Sequence, residues 1–167
     1  MLPTRGSSNV FRALILAMLL AVPLAAAPNL SGTWILNVAK SQYGQFPAPE
    51  VMTRQIRHND PTLSMSTYQK GAQGEVTTDL TYTTDGKPVV NGATEGSAHW
   101  EGDKLVIETS RDYQGTKLTQ REEWTLSVDG KTLNIATHVK LPNGEFDVKQ
   151  VFEKAPAPGG GKARTNF

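Results

Sequence analysis

From Leu30 to Lys154 apolar and polar side chains alternate almost without a break. That period of two allows strands and little else, because successive strand side chains point to opposite faces. The longest stretch runs through Leu118, Gln120, Glu122, Trp124, Leu126 and Val128, with Thr119, Arg121, Glu123, Thr125 and Ser127 on the other face. Asp85-Gly86, Asp129-Gly130 and Pro142-Asn143-Gly144 interrupt the pattern with residues that accept the positive φ of tight turns. A turn followed by Leu-x-Ile or Leu-x-Met recurs at Leu63, Leu105 and Leu133, each the return arm of a hairpin.

The pattern predicts about ten strands, at 32–38, 51–58, 62–69, 75–84, 87–92, 95–101, 104–111, 117–128, 131–141 and 145–154. Residues 39–50 contain Gly44, Pro47 and Pro49 and read as a loop. An antiparallel sheet of this length must close or fold into two layers to protect its edges. Sequential hairpins close most simply as an up-and-down β-barrel of about 8–10 strands, with a β-sandwich as the alternative. The fold class is therefore all-β.

Residues 1–27 read as a signal peptide. Arg5 and Arg12 precede the apolar run Ala13–Val22, and Ala25-Ala26-Ala27 supplies small residues for cleavage. The run is too short for a bilayer span, which takes about 20 residues. The mature chain is thus expected to be secreted or periplasmic, without a membrane span and monomeric. Residues 28–154 form the domain, and the Pro/Gly-rich residues 155–167 read as a disordered tail.

The chain has no cysteine, which removes disulfides, thiol nucleophiles and cysteine metal sites. Without Arg5 and Arg12 the 17 Lys and Arg fall to 15, against 16 Asp and Glu, so the mature charge is near −1. With no basic block, nucleic-acid binding is not expected.

At Gly32-Thr33-Trp34, on the first strand, the chain resembles the calycin superfamily of lipocalins and fatty-acid-binding proteins. The stretch Leu30–Gly44 is also similar to small secreted bacterial proteins of lipocalin-like type. The resemblance implies that Trp34 packs across one end of the barrel, with Gly32 allowing close backbone approach. Lipocalins usually place an arginine over this tryptophan; the last strand here offers Lys149 and Lys154. The helical lid of fatty-acid-binding proteins is replaced by the 39–50 loop.

Candidate chemistry is sparse. His58, His99 and His138 lack metal-ligand spacing and read as separate surface or strand-end residues, so no metal or cofactor is expected. Glu122 and Glu123 point to opposite faces and cannot share one acid/base centre. No Gly-x-Ser-x-Gly elbow occurs, and a small hydrolase or isomerase using Glu122 as base ranks last.

Glu122 shares the inward face of Trp124, and Arg54 shares that of Met52 and Ile56. Inward charges are costly unless paired or hydrogen-bonded. Arg54 and Glu122 are therefore expected to meet each other or a polar ligand inside the barrel, unless they sit in water at an open end. The inward polar set Thr67, Gln69, Thr78, Tyr82, Thr109, Gln120, Thr137 and Gln150 suits a cavity, although small barrels are also filled by side chains. Trp100, beside the Glu101-Gly102-Asp103 turn, is expected at a barrel mouth.

Two functions follow from this reading. One is binding of a small apolar or amphipathic molecule by Arg54, Tyr82, Trp100, Gln120, Glu122 and Trp124. The other is binding of a protein partner, as by a protease inhibitor or envelope accessory protein, through the 39–50 loop.

Overall fold

The computed structural model describes residues 27–113 and 115–156. The signal-peptide reading of 1–27 falls outside these residues except at Ala27, and the tail reading of 155–167 falls outside them beyond Pro156.

Ten antiparallel strands form one sheet: β1 (Gly32–Leu36), β2 (Val51–Asn59), β3 (Thr62–Gly71), β4 (Gly74–Thr83), β5 (Val89–Asn91), β6 (Thr94–Glu101), β7 (Lys104–Tyr113), β8 (Thr116–Leu126), β9 (Thr132–Leu141) and β10 (Gly144–Lys154). Their order is β4-β3-β2-β1-β10-β9-β8-β7-β6-β5. Every neighbouring pair is a hairpin except β1 with β2 and β1 with β10. The β1–β10 pairing, with Trp34 opposite Lys154 and Leu36 opposite Phe152, returns the end of the chain to its start.

The sheet's two outer strands, β4 and β5, meet and nearly close the barrel. Their meeting is made by a side chain: Thr81 N–H donates to Asn91 Oδ1 and Asn91 Nδ2 donates to the Thr81 carbonyl, both at 3.0 Å. Below this point Gly86 N–H donates to the carbonyl of Ala98 at 2.8 Å. Pro88, which has no N–H to give a ladder, keeps β5 to three residues where six were expected.

Strand ends follow local hydrogen bonding. β1 stops at Leu36 because the Asn37 side chain accepts from Lys40 N–H and caps a 3₁₀ turn, Val38–Lys40. This turn occupies the start of what reads as a loop. β8 stops at Leu126 because Ser127 accepts from Thr132 N–H and donates to Asp129. Val128, expected to continue the inward row, is instead fully exposed in that turn.

The core fills one end of the barrel. Trp34, Trp124, Phe152, Leu30, Leu63, Leu105 and Leu133 are completely buried there. Burial of each such side chain contributes about 1.5–3 kcal/mol relative to exposure. Val106 is equally buried on the outer face, where Arg121 binds Glu101, Glu108 and Glu123, and Lys104 binds Glu123. The alternation reads Val106 as outward; the charged side chains around it shield it from water.

The opposite end of the barrel is open, and residues 37–50 lie across it. Gln42 pairs with Lys149 through two backbone hydrogen bonds, and Asn37 N–H donates to Val151. Phe46 packs on Phe146 with ring centroids 4.3 Å apart. The segment is strapped to β10.

Candidate functional site: the barrel cavity

Above the packed end lies a cavity of about 500 Å³. It is lined from β2, β3, β4, β6, β7 and β8, and its walls include six of the eight polar residues expected to point inward: Thr67, Gln69, Thr78, Tyr82, Thr109 and Gln120. Met52, Met65, Val76, Leu80, Ile107 and Leu118 supply its apolar surface. The alternatives of cavity and filled core thus divide along the barrel axis, one at each end. The two remaining polar residues do not line it: Thr137 is buried on β9, and Gln150 donates to the Tyr43 hydroxyl at 2.9 Å and to Met52 Sδ at 3.7 Å.

The floor of the cavity is built on Trp124. Its indole N–H donates to Glu122 Oε2 at 2.7 Å, and Gln120 Nε2 donates to Glu122 Oε1 at 2.6 Å. Gln120, Glu122 and Trp124 alternate on β8, so the pleat alone brings three side chains to one face and lets the outer two hold the middle one. Both Glu122 oxygens thus accept a hydrogen bond from their own strand.

Arg54 enters from β2, opposite Trp34 on β1 and Thr67 on β3. Its residue is only 9% exposed. The guanidinium lies 5.0 Å from the Trp124 ring centroid and 5.2 Å from that of Phe152. Ring faces attract a cation, and the attraction grows when water is excluded. Nε donates to Thr67 Oγ1 at 3.1 Å, but the buried Nη1 has no hydrogen-bond partner. Burial pushes the Arg54 pKa down, and the field of Glu122 opposes that shift. No direct ion pair within 4.0 Å joins the two residues; they act on each other across the cavity floor.

Tyr82 completes the floor from β4. Burial, then the charge of Glu122, raises its pKa to about 12, so its hydroxyl is a stable donor at neutral pH. Gly96 makes room for its ring: a Cβ there would lie 2.9 Å from Thr109 Cγ2 and 3.0 Å from Tyr82 Cε1.

The expected site residues therefore separate. Arg54, Tyr82, Gln120 and Glu122 line the one cavity, and Trp124 underlies it. Trp100 does not line it. Its ring packs 5.8 Å from that of His58 at the closed end. Trp100 does adjoin a turn at a barrel end, but that is the end filled by Trp34, Leu105 and Trp124; alternation cannot say which end is open.

His58 also departs from its reading as an unconnected strand-end residue. Its side chain is 3% exposed, and Nδ1 accepts from Leu30 N–H at 3.4 Å. The segment before β1 covers it. His99 and His138 lie outside and pair with Glu101, and with Glu145 and Asp147, respectively. Among the described residues no cluster of three His, Asp or Glu could hold a metal ion, and no helix is long and apolar enough to cross a membrane.

Two residues at the mouth escaped the sequence reading. Arg111 lines the cavity, and its phase with Leu105, Ile107 and Thr109 on β7 already places it inward. Tyr43 packs against the core from the strapped loop, and its hydroxyl pKa is raised by burial. No periodicity marks a loop residue that reaches a core.

At the closed end Trp34 Nε1 donates to the Leu30 carbonyl at 2.9 Å, and Lys154 Nζ stands 5.2 Å from the Trp34 ring centroid. Lys154 thus takes the position over the tryptophan.

No protein-family model and no curated protein matches the sequence. Solved structures do match in fold. The fatty acid transporter REP1-NXSQ is 14% identical, with a TM-score of 0.53 over 77% of this chain and 97% of that one. A zebrafish ileal bile-acid-binding protein complexed with cholic acid is 16% identical, with a TM-score of 0.51 over 77% and 100%. A mutant of the fluorescent protein UnaG is 14% identical, with a TM-score of 0.51 over 75% and 95%. At these identities the likeness is one of architecture: the chain is an all-β, ten-stranded antiparallel barrel of the calycin type.

Proposed function

We propose that this protein is an exported, periplasmic or secreted barrel that binds a small, partly apolar molecule in its cavity. The observation that carries the reading is Arg54. A guanidinium nitrogen buried without a partner forfeits hydrogen-bond energy that folding alone does not recover. Here that nitrogen belongs to a residue lining a 500 Å³ cavity, and six of the other fifteen residues in its wall are methionine or aliphatic side chains. Binding pockets have this composition: an apolar body with a few placed polar groups.

Of the structures that share this architecture, one is a fatty acid transporter and another a bile-acid-binding protein complexed with cholic acid, which supports a small amphipathic ligand here.

Native mass spectrometry of the protein purified from the periplasm of a producing host tests the reading. The expected result is a discrete additional mass that leaves on unfolding. In Arg54→Met the bound fraction should drop while the β-sheet circular dichroism spectrum is retained. An apo mass for the wild-type chain, with no thermal shift across a panel of lipids and small metabolites, would overturn it.

A further inference from the structure

The two buried charges of the cavity floor indicate what kind of head group it takes. We infer that the ligand's polar end is an uncharged amide-like carbonyl, not a free carboxylate; this rests on the cavity reading above. Arg54 and Glu122 line the same cavity, and the charge of Glu122 acts on Arg54. The third charged residue of the lining, Arg111, stands at the mouth, so the floor itself holds one positive and one negative charge. The floor lacks a hydrogen-bond acceptor for Arg54 Nη1 and lacks no charge.

Glu122 is built in and does not stand in for a ligand. Gln120 and Trp124 hold its two oxygens at 2.6 and 2.7 Å, and both come from its own strand. A ligand carboxylate reaching Arg54 would enter the field of this fixed carboxylate in a partly enclosed space, where like charges repel more strongly than in water. A carbonyl oxygen accepts from Nη1 without that repulsion. A carboxylate has about four lone-pair positions, and two are used in Glu122. An amide N–H on the same head group can therefore donate to Glu122 while its carbonyl accepts from Arg54. The Tyr82 and Thr67 hydroxyls around the floor suit a dipole in the same way. The Met52, Met65, Leu80 and Leu118 side chains take the aliphatic remainder.

The test compares laurate with lauramide, which share a chain and differ in head group, by calorimetric titration of the full chain near neutral pH. Lauramide should bind at least about tenfold more tightly, a difference of about 1.4 kcal/mol. In Glu122→Gln, which keeps the shape and removes the charge, laurate should gain at least about tenfold and the preference should narrow or reverse. Circular dichroism confirms that the variant folds, and the wild-type comparison stands even if it does not. Laurate binding as tightly as lauramide to the wild-type chain would overturn the head-group inference and leave the cavity reading intact. So would a preference unchanged in a folded Glu122→Gln. Binding of neither ligand, with no bound mass in the native spectrum, would remove the cavity reading and this inference with it.

Discussion

The side-chain amide of Asn91 does for Thr81 what a neighbouring peptide would do. It accepts from the Thr81 N–H and donates to the Thr81 carbonyl at 3.0 Å each, and so joins the two ends of the sheet. β5 is too short to offer a backbone ladder there, and an amide side chain has the same donor and acceptor as the backbone.

Replacing Asn91 by Ala should cost about 1–3 kcal/mol, the net worth of two hydrogen bonds. Asn91→Asp keeps the acceptor and turns the donor into a second acceptor against the Thr81 carbonyl, so it should be at least as damaging. Urea unfolding gives the stability, and amide hydrogen exchange gives the location. The Thr81 amide should lose protection selectively in both variants. Unchanged protection at Thr81 would mean that the seam is held by other contacts.

How this seam escapes a reading of the sequence is a matter of range. The ten strands, the inward phase of Arg54 and Glu122 and the outward phase of His138 follow from alternation, because a pleat has only two faces. Alternation is local. It cannot tell which end of the barrel is filled, so Trp100 was expected at a mouth and lies at the packed end beside His58. Nor can it see the covering of His58 by the segment before β1, the roofing of Val106 by ion pairs on β6, β7 and β8, or Tyr43 folding in from a loop. Each depends on segments brought together only by closure.

Gly32 and Lys154 form a second testable pair. Gly32 has φ +144°, which L side chains rarely adopt, and a Cβ there would lie 2.7 Å from Lys154 Cε. Gly32→Ala should therefore destabilise by about 1–3 kcal/mol through backbone strain together with displacement of Lys154 from the Trp34 ring. Lys154→Ala should cost about 0.5–1 kcal/mol, because the cation–π contact is then lost alone. In the double variant the penalties should sum to less than the two single ones, since the Lys154 side chain is no longer there to be displaced. Strict additivity in denaturant melts would show that Gly32 is required only for its backbone conformation.

Gly96 carries a cavity prediction. It sits opposite Thr109 on β7, and the Tyr82 ring lies over it. In Gly96→Ala the new methyl would meet both side chains and, at 3.0 Å, the Glu108 carbonyl oxygen, and the Tyr82 ring is the one with open space to move into. The expected outcome is a loss of about 1–3 kcal/mol from overpacking, with weaker ligand binding because the ring enters the cavity. Adding Tyr82→Leu to Gly96→Ala should recover part of that stability, since the contacts with Thr109 and the Glu108 carbonyl remain. Retained stability and binding in Gly96→Ala would show that the strand yields and the ring does not.

Tyr82 also ties stability to alkaline pH. Its pKa stands at 10.0 as an ordinary phenol and at about 12 in the fold, raised first by burial and then by the negative charge of Glu122. Below pH 10 both the folded and unfolded chains keep the proton, and Tyr82 contributes no slope. Between pH 10 and 12 the unfolded chain releases it while the folded chain holds it. The unfolded state then binds fewer protons, so stability must fall as pH rises. For a nearly buried ring the loss should reach about 2–3 kcal/mol by the upper end of that window. Lysines titrate over the same range, so the measurement is a comparison: urea melts of the wild-type chain and of Tyr82→Phe at several pH values. The phenylalanine variant should show a shallower decline, and the difference between the curves should be confined to that window. Parallel curves would mean that the phenol ionises as freely in the fold as in water.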